Sequence, residues 1–368
     1  MSKDIIILGS TGSIGSSTLS IIRNTDFKIK LLTTNTNVKK ILNQAIDFNV
    51  KDVIVEDKDQ FKKFQILFKK KRIRLHCGLN NVKKIVKKKV DYCVNSITGI
   101  DGLLPTLDLI PLTKNILIAN KESLICGWHL IQKSLKKNRT TFIPLDSEHY
   151  SIYNLIKHDN HSDIEQVILT ASGGPFLNKP VKIINNAKPH LALKHPNWKM
   201  GNKITIDSAT MMNKAFEIIE AFHLFNLKLN QIKVVVHPES IIHSLVNFKD
   251  GSTTALLCDH DMRIPIFYAL YWPSRESFNV KKIDLFKIRN LSFEKPNIHL
   301  IDSINLAYYV LKKGGPYSLI FNAANEVAVK FFLKQKIKFM DIIKIVKKII
   351  SISKKHSINN LEVIYSVD

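Results

Sequence analysis

Residues 4–22 do most to restrict what this chain can fold into. Asp4-Ile5-Ile6-Ile7-Leu8 is a short apolar run that stops at glycine, the pattern of a strand buried on both faces of a parallel sheet. Gly9-Ser10-Thr11-Gly12-Ser13-Ile14-Gly15 follows, and then Leu19, Ile21 and Ile22 at helical spacing. Strand, glycine loop and helix in that order predict a turn whose backbone can approach a pyrophosphate, with the helix N-terminus offering N–H groups to the anion. The spacing is GxxGxxG rather than GxGxxG, a weaker mark of NAD enzymes but familiar in NADP-linked variants. A glycine-rich turn with no ligand is the plain alternative.

The second strand, residues 28–33, runs into Thr34-Asn35-Thr36-Asn37. An NAD-selective site usually carries Asp or Glu here to hold the ribose 2′-hydroxyl. None is present, and Lys39 and Lys40 follow, so a 2′-phosphate meets attraction rather than repulsion and NADPH is the expected cofactor. Further alternation follows, with a strand at 52–55, helices near 58–69 and 80–88, and strands at 91–94 and 115–118. It predicts a Rossmann-like, doubly wound parallel sheet of the α/β class. Residues 1–145 are read as this cofactor domain. Residues 146–277 are read as an α+β catalytic domain with strands at 232–236, 241–248 and 253–258. Residues 278–300 form a linker, and 301–368 a small helical domain broken at Gly314-Gly315-Pro316.

The chemistry is expected beyond residue 117. Asn120, Lys121 and Glu122 follow a strand and project at its carboxyl end, the ligand edge of an open α/β sheet; Asn120 also suits a helix N-cap. Next, a strand delivers Asp146-Ser147-Glu148-His149, two carboxylates separated by a hydroxyl. Hard divalent ions such as Mg²⁺ or Mn²⁺ take oxygen ligands of this kind, although a helix start with Asp146 as cap fits equally well. His149 reads as a neighbour rather than a ligand. Ser172-Gly173-Gly174-Pro175 at a strand end either binds phosphate or makes a plain turn. Trp198 and Met200 sit in the Pro/Gly-bounded loop that begins at His195, odd as core but apt for a lid that excludes water. Ile204 to Asp207 is read as a strand, with Ser208 opening a helix that carries Asn213, Lys214 and Glu217. Ser, Asn and Lys beside a helix start suit a phosphate, and Glu217 could complete a three-carboxylate metal site with Asp146 and Glu148.

Composition narrows the class further. The chain has 368 residues, 45% of them hydrophobic, and a formal net charge of +24. That apolar content excludes a disordered basic tail, and no apolar stretch is long enough to span a bilayer. The first strand begins within a few residues of Met1, so no leader is expected. Lys69-Lys70-Lys71-Arg72 and Lys87-Lys88-Lys89 lie beside apolar periodic segments and read as solvated faces, without the aromatic or glycine interleaving of single-strand binders. The four cysteines are scattered with no CxxC pair, as reduced thiols of a cytoplasmic protein would be. Nucleic-acid binding on a retained Rossmann-like scaffold, or a simpler NADP-linked polyol phosphate oxidoreductase, are the rival readings.

These motifs, together with His195-Pro196-Asn197-Trp198 and Asn322-Ala323-Ala324-Asn325-Glu326, occur in an order that resembles the 1-deoxy-D-xylulose 5-phosphate reductoisomerases. The resemblance runs from the first strand nearly to the carboxyl terminus. It implies NADPH- and metal-dependent conversion of that substrate to 2-C-methyl-D-erythritol 4-phosphate for isoprenoid precursors, by a homodimer. It also implies that Asp146, Glu148 and Glu217 hold the metal. Thr11, Gly12, Ser13, Ile14, Asn37, Asn120, Glu122 and Gly201 would line the NADPH site. Ser147, Ser172, Ser208, Asn213 and Lys214, with Lys121 and His195, would contact the substrate, its phosphate or the metal-bound oxygens, alongside the metal ligands Glu148 and Glu217. Trp198 would cover it, and Lys121, Glu148 and His195 would carry catalysis. Three departures stand out: Asn35-Thr36 where the family often has Gly-Lys or Gly-Ser, Ala215 for a usual Gly, and Glu239 where Gln is common.

Overall fold

The computed structural model describes residues 2–157, 159–198, 200–354, 357–358 and 360–367. They gather into two compact units, Met1–Asp146 with Met262–Asn279, and Ser147–Asp261 with Val280–Asp368.

The first unit alternates strand and helix. It runs β1 (Lys3–Leu8), α1 (Ser13–Ile22), β2 (Phe27–Thr34), α2 (Val38–Asp47), β3 (Asp52–Val55), α3 (Lys58–Lys70) and β4 (Arg74–Cys77). It continues through α4 (Val82–Ile85), β5 (Val90–Asn95), α5 (Leu103–Leu109), β6 (Thr113–Ile118), α6 (Lys121–Asn138) and β7 (Thr141–Pro144). The seven strands form one parallel sheet in the order β4-β3-β2-β1-β5-β6-β7. The order reverses between β1 and β5, where Ile5 pairs with Tyr92 and Leu8 with Asn95. At such a switch point the crossovers leave to opposite faces and open a crevice at the strands' carboxyl ends. Ile5, Ile7, Leu32, Val53 and Val94 are buried against helix residues Leu19, Ile41 and Phe68, the burial that makes an unalternating apolar run a stable central strand.

Three features of this unit differ from the sequence reading. β4 was not expected; it is a strand whose polar side chains are held across to β3, with Arg74 Nε 2.7 Å and His76 Nε2 2.9 Å from Asp52 Oδ1. The helix expected near 80–88 shrinks to Val82–Ile85 after a single 3₁₀ turn, and Lys87, Lys88 and Lys89 are exposed in irregular chain. Finally, residues 262–277, assigned by sequence to the catalytic domain, belong to this unit: Ile266, Ala269 and Leu270 of the helix Arg263–Tyr271 complete its core. That helix is apolar on nearly every face, so it has to be buried somewhere, but its own sequence does not say against what.

The second unit begins with α7 (Ser147–Ile156), β8 (Ile164–Ala171), α8 (Val181–Asn185), α9 (Pro189–Ala192), α10 (Asn202–Ala209) and α11 (Met212–Leu224). β9 (Ile232–Val236), β10 (Ile242–Phe248) and β11 (Thr253–Leu257) follow, then α12, the helix Arg263–Tyr271 already placed in the first unit. The chain closes with α13 (Ile301–Lys313), α14 (Tyr317–Leu333), α15 (Asp341–Ile352) and α16 (Leu361–Val367). The sheet order is β11-β10-β8-β9, with β10 antiparallel to β8 and β11 and β8 parallel to β9. The helices after residue 301 are not a separate body. Ser303 Oγ donates to Thr210 O at 2.7 Å, Asn325 Nδ2 donates to Asp207 Oδ1 at 2.7 Å, and Phe216 packs on Phe321 at 5.1 Å. All three contacts join them to α10, α11 and the turn between.

One secondary-structure expectation is overturned here. Ile204–Asp207 is the middle of helix α10, not a strand, and Ser208 lies in its last turn. The Ile204/Ile206 alternation imitated a strand. The helix is instead fixed by Gly201 as N-cap and by Lys203 Nζ, 2.9 Å from Asp207 Oδ2 one turn on. The helix that does open here is α11, after Met211 turns the backbone left-handed at φ +62°.

Candidate active site

In the first unit the glycine loop leaves β1 at the switch point. Gly9 has φ +75°, and a Cβ there would lie 2.9 Å from Ser96 O; a Cβ on Gly15 would lie 2.5 Å from Gly9 O. Both positions therefore require glycine, one for backbone conformation and one for the close crossing of α1 over β1. Thr11 Oγ1 lies 2.7 Å from Thr34 Oγ1, which ties the loop to the end of β2. Gly12 is exposed and precedes α1; with Ser13 and Ile14 in its first turn, that helix has no side-chain cap. Its first N–H groups are thus left to water or to an anion. Asn37 caps α2, accepting from Lys40 N at 3.3 Å. Lys40 reaches back across the crevice edge, its Nζ 2.8 Å from Thr11 O and 2.8 Å from Ser16 Oγ. No carboxylate occupies Thr34 to Asn37.

Asn120 serves as N-cap of α6, its Oδ1 accepting from Ser123 N at 2.6 Å while Nδ2 donates to Gly99 O at 2.7 Å and to Ile97 O. The capping reading and the position at the sheet's ligand edge are both realised. Lys121 and Glu122 are buried in the first turn of α6, and Lys121 Nζ lies 2.8 Å from Asp146 Oδ2. Asp146 stands two residues past the end of β7, so a buried cation beyond one strand end faces the carboxylate beyond the next.

The second unit gathers the other candidates. Glu148 stands in the first turn of α7, where Ser147 Oγ donates to its Oε2 at 2.6 Å. Its Oε1 accepts from Lys214 Nζ at 2.7 Å, and the same ammonium bonds Glu217 Oε2. Asn213 Nδ2 holds Glu217 Oε1. Lys214 and Glu217 are almost entirely buried on α11. Burial alone would pull the Lys214 ammonium down; the two carboxylates outweigh it and raise its pKa above the ordinary lysine range. His149 turns the other way, its Nε2 3.0 Å from the Glu217 main-chain carbonyl and its Nδ1 3.8 Å from Glu220. Among the described residues its ligand atoms fall with those of Asp146 and Glu220, and not with those of Glu148 and Glu217. Two carboxylates converge on Lys214, one positive centre already drawing them together, so their oxygen-donor chemistry suits a hard divalent ion.

Ser172 follows β8 in a turn where Gly174, at φ +63°, comes so close to Ser208 that a Cβ would lie 3.2 Å from its carbonyl oxygen. The turn that carries Ser172 is thus packed on the backbone at Ser208, which ends a helix and does not open one. His195 Nε2 lies 3.0 Å from Ser172 Oγ. Trp198 packs edge-on against His243 at 6.2 Å and His260 at 5.7 Å. Lys199, in the same loop, lies outside the described residues. Gly201 is exposed at the start of α10 with open space around it. The sequence reading missed His243, which is buried beneath Trp198. Burial pulls its imidazole below the usual histidine range while the Glu148 carboxylate opposes that. A single histidine inside a strand pattern carries no local signal of this role.

Family models match residues 5–127 (1-deoxy-D-xylulose 5-phosphate reductoisomerase), 142–225 (its C-terminal domain) and 257–368 (DXP reductoisomerase C-terminal domain). The reductoisomerase of Pelagibacter ubique is 46% identical over 344 residues, covering 92% of this chain and 89% of that one. That of Caldanaerobacter subterraneus is 44% identical over 369 residues, covering 100% and 96%. This chain belongs to the 1-deoxy-D-xylulose 5-phosphate reductoisomerase family. Solved reductoisomerases agree in fold. The Zymomonas mobilis protein in complex with NADPH superposes with a TM-score of 0.93 at 36% identity, covering 100% of this chain and 96% of that one. Another, with NADPH, fosmidomycin and magnesium, gives 0.92 at 38% identity, covering 99% and 95%. The seven-stranded Rossmann-like sheet, the second sheet and the C-terminal helices are thus the reductoisomerase fold.

Proposed function

We propose that this chain is an NADP-dependent oxidoreductase that rearranges and reduces 1-deoxy-D-xylulose 5-phosphate to 2-C-methyl-D-erythritol 4-phosphate, with a divalent metal ion. The observation that carries the reading is the buried Lys214 held between Glu148 and Glu217, in a chain of this family. Asp146, Glu148 and Glu217 would hold Mg²⁺ or Mn²⁺. When bound, the metal supplies Lewis-acid polarisation of the substrate's carbonyl and hydroxyl oxygens, and NADPH supplies the hydride. The protein's own residues position and neutralise. Ser172, Ser208, Asn213 and Lys214 would receive the phosphate and neighbouring oxygens, His195 would stand behind Ser172, Ser147 orients Glu148, and Lys121 balances Asp146. Trp198 would close over the substrate and keep water from the reactive carbonyl. Oxidation of NADPH that depends on both 1-deoxy-D-xylulose 5-phosphate and Mg²⁺ or Mn²⁺ is the direct test. Salt-dependent DNA retention without turnover would favour the nucleic-acid reading instead.

The cofactor half of the site makes its own prediction. Thr11, Gly12, Ser13, Ile14, Asn37, Asn120, Glu122 and Gly201 would line the NADPH site. Asn120 would do so through its backbone, since its side chain is taken by the α6 cap and by the Ile97 and Gly99 carbonyls. With Thr36 where the family often has Lys or Ser, Lys40 is the cation placed to meet the 2′-phosphate. Lys40→Ala is expected to weaken NADPH binding by roughly 10-fold to 100-fold, the worth of one charge-assisted contact. NADH binding, read by quenching of protein fluorescence, should be unchanged. Equal loss for both cofactors would mean that Lys40 only braces the glycine loop.

A homodimer fits the apolar side chains exposed between residues 284 and 298. Phe286 is fully exposed, and Leu285, Phe293 and Ile298 are exposed as well, apolar side chains that a second copy would cover. Phe286→Asp is expected to halve the mass in sedimentation velocity; an unchanged mass would remove this surface from the interface. Among the described residues no helix is long and apolar enough to cross a membrane, and four free thiols, two of them buried, fit a cytoplasmic setting.

A further inference from the structure

Among the described residues His195 makes three hydrogen bonds, and together they fix where its proton sits. Its Nδ1 is 3.2 Å from Asn197 N and 3.0 Å from Trp198 N. Both are main-chain N–H donors, so Nδ1 accepts and carries no hydrogen. The proton of the neutral ring is therefore on Nε2, which donates to Ser172 Oγ at 3.0 Å. Gly174 N donates to the same oxygen at 3.3 Å. With both acceptor positions of that hydroxyl taken, Ser172 has only its own hydrogen left to offer.

The two ends of the ring thus govern different things. Nδ1 folds residues 197–198, the part of the loop that carries Trp198. Asn197 then pins the loop through Nδ2, 2.9 Å from Pro238 O and 3.1 Å from Ser240 Oγ. Nε2 sets the polarity of the Ser172 hydroxyl, at the entry of the Gly173-Gly174 turn. Burial, reinforced by nearby His260, pulls the His195 pKa down to about 4, so the ring stays neutral and this arrangement holds through neutral pH.

We infer that His195 is a neutral, Nε2-protonated ring that couples the fold of the Trp198 loop to Ser172, making Ser172 an obligatory hydrogen-bond donor to an acceptor-only anionic oxygen. The inference deepens the proposed phosphate site and rests on it. His195 then acts on the ligand through Ser172, as a positioning residue. Its neutral ring has no acidic proton to give and no free nitrogen with which to take one.

The test uses the full-length protein, labelled with ¹⁵N-histidine, and inorganic phosphate as the probe. The expected spectrum shows His195 with Nε2 protonated and Nδ1 bare, both free and with phosphate. Two variants separate the two ends of the ring. His195→Asn keeps an acceptor near the Nδ1 position, so the Asn197 and Trp198 amides should stay protected from hydrogen exchange while phosphate affinity falls about 10-fold. His195→Gln reaches the Nε2 position, so phosphate affinity should be largely kept while those amides lose protection. An Nδ1-protonated ring, an imidazolium at neutral pH, or Asn and Gln variants that behave alike would overturn the inference. If the tautomer and the variants behave as expected but the enzyme shows no reductoisomerase turnover, the proposed function fails and the coupling stands.

Discussion

Glu217→Gln is expected to lower turnover by about 10³-fold or more, because losing one anionic ligand removes several kcal/mol of metal-borne charge stabilisation. The substitution is nearly isosteric. Its amide oxygen can still accept from Lys214, and Asn213 can turn its amide so that Oδ1 accepts from the new NH2, so the α7–α11 contact should persist. What disappears is the negative charge. The buried ammonium of Lys214, now shared by two carboxylates, would then be balanced by Glu148 alone. Two measurements separate chemistry from folding. Mn²⁺ affinity, followed by the paramagnetic signal of the free ion, should fall steeply, whereas NADPH affinity should change less than about twofold, a free-energy difference below about 0.5 kcal/mol. A variant with full turnover would remove Glu217 from the metal site. A variant that lost NADPH and Mn²⁺ binding together would point instead to a collapsed fold.

The parts of this site that were legible in the sequence are those fixed by local chemistry. The glycine loop could be read because Gly9 and Gly15 answer to constraints within one strand–turn–helix unit. Asp146 and Glu148 could be placed because a strand immediately precedes them. Lys214 and Glu217 share a helix face by their spacing of three, and α11 does place them together. What could not be read depends on distant partners. The Ile204–Asp207 alternation suggested a strand, but both sheets close without it, and Asp207 is held instead by Asn325 from a helix more than a hundred residues later. Residues 262–279 return to the first unit because their apolar helix finds its core there. β4 was hidden because Arg74 and His76 are polar, and only their cross-strand pairing with Asp52 makes them strand residues. His195 was visible as a candidate, but its tautomer follows from three partners that no spacing reveals.

Lys214→Gln should produce the largest loss of stability, with a pH dependence that reports on the carboxylates. In the native chain the folded pKa of Lys214 lies above its unfolded value of 10.5. Its contribution is therefore complete below that pH and is lost only as pH rises through the higher, folded value. At neutral pH removing it leaves Glu148 and Glu217 facing each other without the cation they share, a loss of about 3–5 kcal/mol for a broken buried pair. That corresponds to a fall in melting temperature on the order of 10 °C. Mutual repulsion raises the pKa of such carboxylates in the folded variant, so the penalty is fullest above that value and shrinks as acid protonates one of them. The gap in melting temperature between variant and native protein should narrow from about pH 7 to about pH 5. Millimolar Mg²⁺ at pH 7 should narrow it too, since a divalent ion binding the folded state replaces the lost positive charge and stabilises by mass action. The double variant with Glu217→Gln should show neither response. If the gap were constant with pH and indifferent to Mg²⁺, Glu148 and Glu217 would not form one electrostatic site, and the metal assignment would lose its physical basis.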